Sequence, residues 1–129
     1  MTTPSLIRIL LVDDHSVLRA GLRMLLNSQA HLQVVGEAGD GREALQIFQG
    51  TAAIAFVILD LTMPRMDGEQ CFCELRKLRP DVQVIISSGY SEQEVTHKFA
   101  GQGLAGFIQK PYNLGALRGV TRSLIPHPP

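Results

Sequence analysis

Short apolar runs rich in Val, Ile and Leu alternate along this chain with stretches whose apolar positions recur every three or four residues. The runs IRILLVD (7–13), LQVVGEA (32–38), FVILD (56–60), VQVIISS (82–88) and GFIQK (106–110) have the length and composition of strands. The stretches between them follow a helical period. In the first, Val17, Leu18, Leu22, Leu25 and Leu26 are expected on one face. Start signals agree with this division: Asp40–Glu43, Asp67–Gln70 and Ser91–Glu94 each set a capping side chain three residues ahead of Glu or Gln. Asn113 fits as the cap of a last helix carrying Leu114, Leu117, Val120 and Leu124.

The pattern is a βα unit repeated five times. Strands this apolar leave no face for water, which implies a parallel sheet covered by helices on both sides. Right-handed crossovers then give a doubly wound α/β sheet, for which 2-1-3-4-5 is the common five-stranded order.

Composition narrows the function classes. The 129 residues suit one domain, with a core over about 6–125 and a PHPP tail at 126–129 that cannot continue a helix. Twelve basic and twelve acidic residues give zero formal charge, so the usual electrostatic footprint of a nucleic-acid binder is missing. The longest apolar run, AAIAFVIL at 52–59, falls far short of the ~20 residues that cross a bilayer. MTTPSLIR has no basic region followed by an apolar stretch, so the expected location is the cytoplasm. Cys71 and Cys73 are two apart, a spacing that points them to different sides of a helix. Both read as buried or half-buried apolar residues rather than as a disulfide or a metal pair.

In a doubly wound sheet, ligands bind outside the carboxyl ends of the strands, where the winding reverses. The first strand ends in Asp13-Asp14, the third in Asp60, the fourth in Ser87-Ser88 and the fifth in Lys110. Three carboxylates on one rim repel one another unless a cation sits among them. All-oxygen donors in small number favour Mg2+. A metal so held wants an anionic partner such as a phosphoryl group. A lysine would pair with that group, a serine hydroxyl would bond it, and one carboxylate would act as nucleophile, with Asp60 the central candidate. Singly, each residue has an ordinary explanation: Asp14 would be a helix cap, and a lone Ser or Lys would be solvated. Five such residues at four strand ends are not explained that way.

The chain closely resembles the response-regulator receiver domains of two-component signalling, over LLVDDH, DLTMPRMDG, IISSGY and GFIQKPY. The resemblance implies a flavodoxin-like three-layer αβα fold, and it assigns roles by position. Asp60 would be the phospho-acceptor. Asp13, Asp14, Asp60 and the backbone carbonyl of Thr62 would hold Mg2+. Ser88, chosen because it precedes Gly89, would be the switch hydroxyl, and Lys110 the phosphate-pairing lysine. The family's Lys-Pro bond is cis, so the resemblance implies a cis Lys110-Pro111 bond, whereas the sequence by itself would favour trans. Phe107 stands at the aromatic switch position, where the family more often has Tyr. Thr62 and Tyr90 stand where an acid or amide can orient water, so a long-lived phosphorylated state is expected.

The implied phosphoryl donor is a histidine kinase or phosphotransfer protein. The implied readout surface is the fourth helix, fifth strand and fifth helix, where an output domain, a partner protein or a second copy docks. Lys98, Gln109, Arg118 and Arg122 are its candidates. Such a domain catalyses only its own phosphorylation and dephosphorylation, although a parent protein could be a hybrid kinase.

Three rival readings share part of this pattern. A haloacid-dehalogenase-type phosphatase wants an Asp where Thr62 stands. A flavin carrier wants a hydroxyl-rich loop where Asp13-Asp14 stand. An unphosphorylated interaction module on the same fold has no need of the full acid, hydroxyl and lysine set. SSGYSEQE and GFIQKPY look like receivers of hybrid kinases, whereas LLVDDHSVLRAGLRMLL looks like receivers ahead of helix-turn-helix domains.

Overall fold

The computed structural model describes residues 7–51, 53–61 and 66–110. Its elements follow in strict alternation: β1 (Ile7–Val12), α1 (Ser16–Asn27), β2 (Leu32–Ala38), α2 (Gly41–Gly50), β3 (Ile54–Asp60), α3 (Gly68–Leu78), β4 (Gln83–Ser88), α4 (Glu92–Lys98) and β5 (Gly106–Gln109). The five strands form one parallel sheet in the order β2-β1-β3-β4-β5. The fold class and strand order are those expected. Asn113, the last helix with its Arg118 and Arg122, and the tail lie outside the described residues.

Alternation along the strands sorts the core into two layers. Leu10, Val12, Val57, Leu59, Val84 and Ile86 pack on one face against Ala44, Phe48, Phe72, Leu75 and Val95 of α2, α3 and α4. Ile9, Leu11, Phe56, Ile58, Ile85 and Ile108 pack on the other against Leu22 and Leu26 of α1. β1, β3 and β4 are therefore apolar on both sides, as a buried parallel sheet requires.

The expected caps form. Asp40 accepts from the backbone N–H of Glu43 at 2.9 Å, and Ser91 accepts from that of Glu94 at 3.2 Å. Asp67 and Gln70 make a reciprocal capping box. Gly68, the first residue of α3, donates to the carbonyl of Leu61 at 2.8 Å. A Cβ on Gly68 would lie 2.5 Å from the Asp60 carbonyl oxygen and 2.7 Å from Leu61 Cα, so only glycine lets α3 start this close to the end of β3.

Two expectations are corrected. Val17 does not share the face of Leu18, Leu22, Leu25 and Leu26; it is 86% exposed. At 3.6 residues per turn it lies roughly 140° around the helix from Leu22, outside a stripe that faces the sheet. Cys71 is fully buried as expected, but Cys73 is exposed because the two-residue offset turns it away from the core. Burial pushes the Cys71 thiol up to about 12, with the charges of Asp40, Asp67 and Glu74 adding to the effect, which keeps it protonated and unreactive.

Candidate functional site

Strand register builds the site. Val12 pairs with Leu59, and Asp60 pairs with Ser87 on the far side of β3. Asp60 is the last residue of β3 and Asp13 follows directly on β1, so two acids arrive at the same rim on adjacent strands. Asp13 is 3% exposed and Asp60 4%, a depth at which a charge must find a partner. Lys110, one residue past β5, supplies one. Its ammonium lies 3.0 Å from Asp13 Oδ2 and 3.3 Å from Asp60 Oδ1, bridging both acids from the edge of the sheet. Its own N–H donates to the Ser88 carbonyl at 2.7 Å, which fixes where the side chain leaves the backbone. Burial alone would lower the Lys110 pKa. The hydrogen bond to Asp13 and the charges of Asp60 and Asp13 outweigh it, and the pKa lies above the ordinary lysine value.

Asp14 is exposed at the mouth of the site. The reading of Asp14 as a helix cap fails: the N-cap of α1 is His15, with no side-chain cap hydrogen bond among the described residues. His15 is a residue of the site that the sequence analysis did not single out. Its side chain is mostly exposed, but its backbone N–H donates to Asp13 Oδ1 at 2.8 Å. Its Nδ1 lies 3.0 Å from Asp13 Oδ1 and 3.2 Å from Asp14 Oδ1. The one available signal was its place directly after the acid pair.

Ser88 is buried, and its hydroxyl accepts from the Tyr90 backbone N–H at 3.0 Å; Tyr90 itself is largely exposed. Ser87, paired in register with Asp60, is also buried, and its hydroxyl has no hydrogen-bond partner among the described residues. Phe107 is half-buried and packs at the margin of the larger core layer. Lys98 is tied to Glu69 across α3 and α4 at 3.2 Å, so it is not simply solvated, and Gln109 is exposed. Thr62 and Pro111 lie outside the described residues.

Asp13, Asp14, Asp60 and Lys110 thus converge, with Ser88 one residue beyond the Asp60 register partner. Ligand atoms of Asp13, Asp14, His15 and Asp60 lie within 4.8 Å of one another, close enough to share one ion. Among the described residues the site gathers three carboxylates and one lysine, and its hard oxygen donors fit a divalent cation of the Mg2+ type. Among the described residues no helix is long and apolar enough to cross a membrane.

The profile of the response regulator receiver domain matches residues 9–122. The transcriptional regulatory protein YhcZ of Bacillus subtilis, itself uncharacterised, is 41% identical over 67% of this chain and 40% of its own length. The sensor kinase CckA of Brucella abortus is 34% identical over 91% of this chain and 12% of its own. A chain in the crystal structure of a CheX-CheY-BeF3-Mg2+ complex from Borrelia burgdorferi superposes with a TM-score of 0.83 at 26% identity, covering 92% of this chain and 88% of that one. The chain therefore spans less than half of the curated relatives it matches.

Proposed function

The chain belongs to the response regulator receiver domain family of two-component systems, and on that premise we propose that Asp60 accepts a phosphoryl group from a phosphohistidine of a partner kinase or phosphotransfer protein. A carboxylate oxygen of Asp60 attacks phosphorus, an O–P bond forms, and the P–N bond breaks. The electron pair stays on the departing imidazole nitrogen, which ends protonated. Little covalent work falls to the protein, so rate comes from position and charge.

Asp13, Asp14 and Asp60 would hold the metal, with Thr62 contributing a backbone carbonyl. Mg2+ bound there would supply positive charge to offset that of the transferring group. Lys110 does the same from the other side: its ammonium, now shared between Asp13 and Asp60, is placed to pair with a phosphoryl oxygen once one carboxylate is esterified. Ser88 turns its hydroxyl from the Tyr90 N–H toward the new oxygens, and the loop before α4 follows. Phe107 moves into the space released. The resulting change is read on α4, β5 and the last helix by an output domain, a partner or a second copy. Thr62 and Tyr90 offer no acid or amide to orient water, and Tyr90 shields the group, so the acyl phosphate is long-lived.

The observation that carries this reading is the Lys110 ammonium at 3.0 and 3.3 Å from two buried acids at neighbouring strand ends. The test is incubation with acetyl phosphate and Mg2+ followed by intact mass. One phosphoryl group is expected on the wild type, and none with EDTA or in Asp60→Asn. Absence of the group from wild type, or its persistence in Asp60→Asn, overturns the reading.

A further inference from the structure

Behind the acid loop runs a chain of charged contacts that the phosphoryl chemistry does not use. Arg19, in the first turns of α1, donates from its guanidinium to the backbone carbonyl of Asp13 at 2.6 Å and reaches the Ala38 carbonyl at 3.5 Å. Its Nε donates to Glu37 Oε1 at 3.2 Å, and the other Glu37 oxygen accepts from Arg23 at 2.7 Å. The Arg19 and Glu37 side chains are only 21% and 26% exposed, so these charged hydrogen bonds are partly shielded from water.

The loop they grip lacks its usual anchors. His15, the N-cap of α1, makes no side-chain cap bond among the described residues, and the first helical turn holds no acid. The Asp13 carboxylate is occupied by His15 and Lys110, contacts that a cation must share or displace. The contact from Arg19 is made to the backbone oxygen and so does not compete with that exchange. We infer that Arg19, held from behind by Glu37, is a positioning residue. It fixes the Asp13 carbonyl and with it the aim of Asp13 and Asp14 at the cation. This rests on the reading above for the metal, but it is tested by metal binding alone.

The probe is Mn2+, titrated directly and followed by its electron paramagnetic resonance, with thermal unfolding recorded on each variant. Arg19→Met is expected to weaken Mn2+ by about tenfold, the lower end of what outer partners of metal ligands contribute. Arg19→Lys recovers part of the loss, because an ammonium reaches the Asp13 carbonyl but, with its donors on a single nitrogen, does not span to Glu37 as the guanidinium fork does. Glu37→Gln gives a smaller loss of the same sign, and it carries the test if Arg19→Met does not fold. The Mg2+ concentration for half-maximal labelling by acetyl phosphate rises in parallel. A residue that only holds the fold together would lower Tm and leave Mn2+ affinity unchanged. That result in Glu37→Gln together with either Arg19 variant overturns the inference. Arg19-dependent Mn2+ binding in a protein that takes no phosphoryl group would sink the Asp60 reading and leave Arg19 in its role.

Discussion

Leu59 and Asp60 are neighbours in β3 and almost equally buried, yet they sit in different chemical worlds. Leu59 belongs to the larger core layer, where its removal from water stabilises the fold directly. Asp60 ends the same strand at a rim where its neighbours include a second buried acid and a lysine. Burial of a carboxylate costs stability unless its charge is matched, and three carboxylates exceed what one lysine can match. The interior of the sheet is therefore arranged for stability, and the rim gathers charge at some expense to stability. A rim built in conflict with local physical preference is where function is expected.

That contrast is sharpest under mutation. Leu59→Ala is expected to lower the unfolding free energy by about 2–5 kcal/mol through lost transfer energy and a residual cavity. Asp60→Asn, one residue away, should leave metal-free stability within about 1 kcal/mol of wild type or raise it. The amide removes one of the crowded charges, while Lys110 keeps Asp13 as its partner. Urea unfolding of the two variants side by side decides the matter. Equal losses would mean that Asp60 is held for structure.

Divalent cation should then stabilise the rim without touching the interior. Mg2+ at tenfold excess over its Kd is expected to add about 1.4 kcal/mol to wild type by mass action. Asp13→Asn and Asp14→Asn should lose most of that gain, and Leu59→Ala should keep it in full. A Tm shift that Asp13→Asn retains would break the link between rim and metal.

A separate effect lies at high pH, where one group from each region titrates. The buried Cys71 thiol keeps its proton to about 12, while an unfolded thiol loses its own near 9.0. The folded state holds the extra proton between those values. Stability therefore falls as pH rises through that window, by at most about 1.4 kcal/mol per pH unit. Lys110 also has a folded pKa above its unfolded value. Its stabilising contribution is complete below the unfolded pKa and fades as pH climbs through the folded one. Cys71→Ala should flatten the part of the decline that begins near pH 9 and leave the later part, which Lys110→Met should remove. Unfolding curves between neutral pH and the alkaline limit separate the two.

What the sequence disclosed follows the same division. Signals confined to a few residues were legible. The caps at Asp40, Asp67 and Ser91 depend only on a side chain and an N–H three residues on. The convergence of Asp13, Asp60 and Lys110 was legible because topology fixes which strand ends meet, and a parallel sheet of this order admits few alternatives. Contacts that turn on rotamer or on packing between elements were not. Arg19 reaching the Asp13 carbonyl and Lys98 paired to Glu69 leave no periodic trace in the chain. The same holds for the Ser88 hydroxyl turned to the Tyr90 N–H. Val17 was misplaced for a different reason: it is apolar, but its angle on the helix sends it to solvent.

The most direct measurement is to locate the modification. After acetyl phosphate and Mg2+, borohydride converts an acyl phosphate on an aspartate to homoserine, which peptide mass mapping assigns to one position. Homoserine is expected at residue 60 and nowhere else, in keeping with Asp60 as the phospho-acceptor. Homoserine at Asp13 or Asp14, or a phosphoryl group that resists borohydride, would contradict it.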